Sequence, residues 1–348
     1  MKPAVVFFVS LFSCLLSNAQ QIFFQSSQTY TEKEIDQFYA SVNAGNDLIL
    51  FNAPDFKLYA YDKHNGKEKW RFNLGRKSDT PPYFAEGFIW VATRDNRVIK
   101  LDPNTGKVLA TVKASSIVTQ PYSKNGVLYF TGIYEGGSLI AYDMKADSVL
   151  WTRFLAHGYA VKPIYLDDKI IANVEGDNWI DINYDGSLTA AGCDAAEVSF
   201  VSELPCVQQF IIRTHDGRQL KGKQAEAFSL NKYSYPELLT TAQHTFILRK
   251  GYLYVLANKL KKKVALQLSS LSEAIEDDLD NPSKILQADE ETVHLLYSNH
   301  YIVYNFRNKK VVKILNLEQW EPHQAVVDGG KLWLVSRKDG LLYGYRVE

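Results

Sequence analysis

One stretch of this chain is written three times. Leu58-Tyr-Ala-Tyr-Asp62-Lys-His-Asn-Gly66-Lys-Glu-Lys-Trp70 recurs as Val98-Ile-Lys-Leu-Asp102-Pro-Asn-Thr-Gly106-Lys-Val-Leu-Ala110 and again as Leu139-Ile-Ala-Tyr-Asp143-Met-Lys-Ala-Asp147-Ser-Val-Leu-Trp151. The aspartates stand 40 and 41 residues apart, and Asn183 continues the series at a further step of 40. A fixed period of this length constrains the fold more than any other feature. Each unit is one supersecondary module that cannot bury its apolar face alone, so the units must stack.

Within a unit the pattern is that of short strands. A weak strand such as Tyr122-Ser-Lys-Asn-Gly126 precedes a stronger one such as Val127-Leu-Tyr-Phe-Thr131 or Phe88-Ile-Trp-Val-Ala92. A third strand ends at the aspartate, and a tight turn leads to a fourth, as in Lys69-Trp-Arg-Phe72. Gly, Asn and Asp punctuate the runs, as hairpins require. The turn residues Asp62, Asp102 and Asp143 suit a role in which the carboxylate accepts backbone N–H bonds two residues on. Gly66 and Gly106 supply positive φ, and Asp147 takes that place in the third unit. Trp70 and Trp151 are flat bodies placed to fill the gap between one sheet and the next.

Later units are degraded. Gly251 to Gln267, Thr292 to Asn305 and Gly330 to Arg346 keep the strand pattern, and a weak unit is expected around Phe210–Arg213 and Ala227–Leu230. The count is eight, or seven if that weak fifth unit is discounted. Four-stranded antiparallel sheets repeated every 40 residues or so make a β-propeller, so the expected fold class is all-β. The last unit reaches only its third strand before Glu348, and residues 21–25 form a spare short strand that can complete it. Residues 20–348 are therefore expected to be a single propeller domain.

Composition agrees. Aromatics are 13% of the 348 residues, with 21 Tyr and 18 Phe against 2 Met, a bias that suits pleated surfaces. Lys and Arg number 39, balanced by 39 Asp and Glu, which argues against a nucleic-acid partner needing a basic face. Residues 1–19 read as an export signal: Lys2, an apolar run from Ala4 to Leu16, then Ser17-Asn18-Ala19 before the cleavage point. A second reading makes Cys14 a lipid-anchor cysteine within Leu11-Phe12-Ser13-Cys14. Once the leader is removed, Cys193 and Cys206 remain, an even count that in an exported chain suggests one disulfide, worth roughly 3 kcal/mol. Two free thiols are the alternative.

The run Ala60 to Trp70, Ala-x-Asp-x-x-x-Gly-Lys-x-x-Trp, resembles the tryptophan-docking repeat of the pyrroloquinoline-quinone-like β-propeller family. Ala141 to Trp151 matches it apart from Asp147-Ser148 in place of Gly-Lys. The resemblance covers roughly residues 45–185. It implies an eight-bladed ring. It does not by itself imply the quinone, because one scaffold hosts both enzymes and binding proteins.

The residues that would carry chemistry in the quinone enzymes are missing. The chain has no vicinal Cys-Cys, and Glu175-Gly-Asp177 falls short of a calcium ligand set. The seven histidines, His64, His157, His215, His244, His294, His300 and His323, form no metal-spaced pair. No catalytic residue, cofactor or metal is therefore expected. The basic run Lys259 to Lys263 and the acidic segment Ser272 to Asp280 read as hairpin tip and insertion, the latter a candidate partner contact. The resemblance points to the BamB-like non-catalytic branch: an exported periplasmic or cell-envelope scaffold with another envelope protein as partner. The alternative is a ligand-binding or catalytic propeller, acting as a quinone-dependent dehydrogenase or on carbohydrate.

Overall fold

The computed structural model describes residues 22–37, 40–78, 80–113, 116–117, 121–133, 136–156, 163–165, 168–174, 178–188, 237–241, 243–249, 251–257, 263–273, 275 and 283–347. Cys14, Cys193, Cys206, the leader and the weak fifth unit lie outside them, as do residues 258–262 and 276–282. The chain divides into two compact units, one formed by Met1–Asn73 with Leu317–Glu348, the other by Leu74–Asn316.

In the first unit a four-stranded sheet runs in chain order through Ser41–Gly45, Leu48–Asn52, Lys57–Asp62 and Glu68–Asn73. The second sheet joins both termini. Gln324–Asp328, Lys331–Val335 and Leu342–Arg346 are followed, at the outer edge, by Ile22–Gln25. That N-terminal strand pairs antiparallel with the last one, Phe24 opposite Gly344 and Gln25 opposite Tyr343. Ser26 fastens the junction: its N–H donates to the Leu342 carbonyl at 2.9 Å and its Oγ accepts from the Leu342 N–H at 3.0 Å. Beyond it a short helix, Glu32–Gln37, starts on a capping box in which Thr31 and Glu34 exchange bonds.

In the second unit the strands Tyr83–Ala85, Phe88–Thr93, Arg97–Leu101 and Val108–Lys113 make one sheet. The next is built on Val127–Ile133, Gly137–Asp143 and Ser148–Ala156. Three described strands follow, Ile164–Tyr165, Lys169–Val174 and Asn178–Asn183. Two more four-stranded sheets run from Glu237–Thr240 to Lys263–Gln267 and from Lys284–Ala288 to Lys310–Asn316.

The burial pattern explains the strand sequences. The second and third strands are buried on both faces: every residue of Leu48–Asn52 is buried, and so are the middle four of Lys57–Asp62. Such strands read as continuous apolar runs rather than alternations. The fourth strand is exposed except where it turns inward: of Glu68–Asn73 only Trp70 is buried. Apolar clusters accordingly form between successive sheets, with Trp90, Phe130 and Tyr142 filling one joint and Tyr129, Ile170 and Ile182 the next. Each fully buried side chain of this size contributes about 1.5–3 kcal/mol. The fold is a nearly all-β β-propeller, and most of its described sheets have four antiparallel strands.

Candidate functional site

The repeated turn is the most sharply defined constellation in the molecule. In the first repeat, Asp62 Oδ1 accepts the N–H groups of His64 at 2.9 Å and Asn65 at 3.1 Å. In the second, Asp102 Oδ1 accepts those of Asn104 at 3.0 Å and Thr105 at 2.8 Å, plus the Thr105 hydroxyl. In the third, Asp143 Oδ1 accepts those of Lys145 and Ala146, both at 2.8 Å. These donors hold all three carboxyls below the usual carboxylate range. For Asp62 and Asp143 the backbone N–H bonds dominate; for Asp102 the Thr105 hydroxyl comes first. Carboxylates occupied in this way close turns and are poor general bases.

The residue four places on completes the loop. Gly66 and Gly106 have φ of 71° and 67°, and each donates its N–H to the carbonyl of its aspartate. Asp147, which stands where a glycine is expected, also takes positive φ, at 51°. The Asn183 turn departs from the series. It is one residue tighter, with Gly186 donating to the Asn183 carbonyl and Asp185 supplying the carboxylate that accepts from Ser187. In the unit ending at Asn305, Asn305 Oδ1 accepts from Asn308 and Lys309 takes positive φ at 55°.

Trp151 shows what the turn glycine is for. On the fourth strand, directly opposite Ala141, its indole lies flat over the turn of the following sheet. A Cβ on Gly186 would sit 2.9 Å from the ring. The indole N–H donates to the carbonyl of Tyr184, the residue after Asn183, at 3.2 Å. Trp70 occupies the same register, opposite Ala60, and is buried.

The N-terminal strand carries a docking residue that pattern reading missed. Phe24 lies opposite Gly344 as Trp151 lies opposite Ala141. Its ring covers Gly66, where a Cβ would come within 2.7 Å. Phenylalanine has no N–H to give the turn carbonyl. Lys331 provides it instead, donating from Nζ to the carbonyl of Lys63, the residue after Asp62, at 2.8 Å. The signal for Phe24 was the small residue Gly344 at Ala60's register, visible once the last strand is aligned.

No group of three or more His, Cys, Asp or Glu capable of holding a metal occurs among the described residues. The histidines have separate local partners. His294 Nδ1 meets the Tyr301 hydroxyl at 2.6 Å, His300 Nδ1 the Ser298 carbonyl at 2.6 Å, and His323 Nε2 the Ala40 carbonyl at 2.7 Å. His244 stacks edge-on to Phe306. His157 and His215 lie outside the described residues, as do Glu175 and Asp177. No described helix is long and apolar enough to cross a membrane.

Comparison with known proteins adds a family to this geometry. A sequence profile of the pyrroloquinoline-quinone-type repeat, described as outer membrane protein assembly factor BamB, matches residues 54–196. Outer membrane protein assembly factor BamB of Nitrosomonas eutropha (strain DSM 101675 / C91 / Nm57) is 30% identical over 97 residues. That match spans 28% of this chain and only 23% of the relative. Among solved structures, the computationally designed Ika8 protein superposes with a TM-score of 0.64 at 11% identity, over 93% of this chain and 99% of its own. BamB from Moraxella catarrhalis gives a TM-score of 0.45 at 15% identity, over 88% of this chain and 81% of that one. With the turns, the docking tryptophans and the profile falling on the same stretch, residues 54–196 carry the repeat of the pyrroloquinoline-quinone-like, BamB-like β-propeller family.

Proposed function

We propose that this chain is a non-catalytic, exported propeller that acts as a protein-binding scaffold in the cell envelope, with a part in outer-membrane protein assembly. The observation that carries this reading is the docking repeat at residues 54–196, whose profile is described as an outer membrane protein assembly factor. The leader at residues 1–19 agrees with export, and the sequence has no vicinal cysteines of the kind the quinone enzymes use. The acidic carboxylates most prominent in the repeats are committed to turns. In the same reading residues 20–348 are one eight-bladed domain, a reading that the pairing of Ile22–Gln25 with Leu342–Arg346 supports.

A rigid ring of stacked sheets suits this work. It presents turns and insertions at fixed spacing while its buried strands resist deformation. The test is site-specific photocrosslinking from the exposed turns, in cells, followed by identification of the captured protein. Capture of one outer-membrane assembly protein at a consistent set of positions is expected. A purified protein that reduces a dye with an alcohol or sugar in the presence of pyrroloquinoline quinone would sink the proposal.

A further inference from the structure

One sheet joint in the second unit lacks a docking aromatic. Ala110 stands opposite Lys100 at the register where Trp151 stands opposite Ala141. Lys100 is nevertheless buried, at 7% exposure. Its Nζ donates at 2.7 Å to the carbonyl of Met144, the residue after Asp143. That is the same carbonyl position which, one sheet later, accepts from the indole of Trp151. Nζ also lies 3.1 Å from Asp147 Oδ1 and over the rings of Phe88 and Trp90.

We propose that Lys100, Ala110 and Asp147 form a charged inter-sheet lock that replaces the docking tryptophan and turn glycine at this joint. The three departures from the repeat are then one event. An indole requires a bare glycine beneath it, because a Cβ at Gly186 would strike the ring. With Ala110 in place of the indole that requirement lapses, and position 147 can carry a side chain. The side chain it carries is the counter-ion of Lys100. A buried ammonium needs such a partner as well as a carbonyl.

The first unit shows that the two tasks of the docking tryptophan are separable. Phe24 covers Gly66 while Lys331 supplies the donor to the Lys63 carbonyl. Three side-chain sets thus serve one carbonyl position: an indole alone, a phenyl with a lysine, and a lysine with an aspartate. Sheet-to-sheet matching is set by residue sets of this kind rather than by the tryptophan itself.

Hydrogen exchange on the full-length protein tests this. K100M should raise exchange of the Lys145 and Ala146 amides by about tenfold or more and lower Tm by about 2–5 °C. The turn that Trp151 covers, at Asp185 and Gly186, should be unaffected. K100A/D147G should show the same loss, and adding A110W to it should restore protection, since an indole can then reach the Met144 carbonyl over a glycine. Unchanged exchange at the turn in K100M overturns the proposal, and that result stands even where the three-residue variant does not fold. Failure of A110W to recover protection in a folded K100A/D147G background overturns it equally.

Discussion

Gly186 and Gly126 both have positive φ, 86° and 76°, but only Gly186 has a ring above it. Gly126→Ala meets open space and should cost about 1 kcal/mol for its left-handed backbone. Gly186→Ala adds a clash with Trp151 and should cost about 2–4 kcal/mol, read by denaturant unfolding. The turn aspartates contribute to the acid limb of stability. Asp143 has a folded pKa below its ordinary value, so its contribution is fully present above the usual carboxylate range and is lost as pH falls through the folded pKa. Asp143→Asn should therefore lower Tm at neutral pH and flatten its dependence on pH below about pH 5, so that variant and parent converge in acid. The turn aspartates, the turn glycines and Trp151 could be read from the repeat because each recurs at constant spacing around the same local turn. Lys100 and Lys331 could not. Lysine has no docking signature, and the carbonyl each serves is 44 and 268 residues away in sequence.

At the scale of the element, the N-terminal strand is the most exposed to test. Its short strand is expected to complete the last sheet, and it does lie at that sheet's edge. Phe23 and Phe24 pack on Trp333 with centroids 5.1 and 5.3 Å away, and Phe24 also meets Tyr61 at 5.1 Å. Phe24→Ala should cost about 2–3 kcal/mol, less than a fully buried ring, and speed exchange along Leu342–Arg346, because it removes the cover on Gly66 and loosens the outer strand. The measurement is exchange mass spectrometry, and a protected Leu342–Arg346 in the variant would show that backbone pairing alone holds the strand. The strand was legible because four apolar-rich residues sat where a fourth strand was lacking. Its docking residue was not, because a repeat search anchored on tryptophan passes over phenylalanine. The Asn183 turn departs from the repeat in its loop. The spacing of 40 placed Asn183 correctly, but the loop that follows is one residue shorter, so Asp185 supplies the carboxylate.

For the whole molecule, period and fold were legible together, since sheets that each expose two faces must stack on like sheets. The partner was not, because surface turns have no energetic reason to keep a pattern. The proposed scaffold binds an envelope protein without turning over a substrate. Full-length tagged protein, isolated from membranes in mild detergent after photocrosslinking, tests it most directly. One outer-membrane assembly protein is expected in near-stoichiometric amount, with crosslinks confined to neighbouring exposed turns. Recovery of the chain alone, or of proteins scattered over every turn without preference, would contradict it.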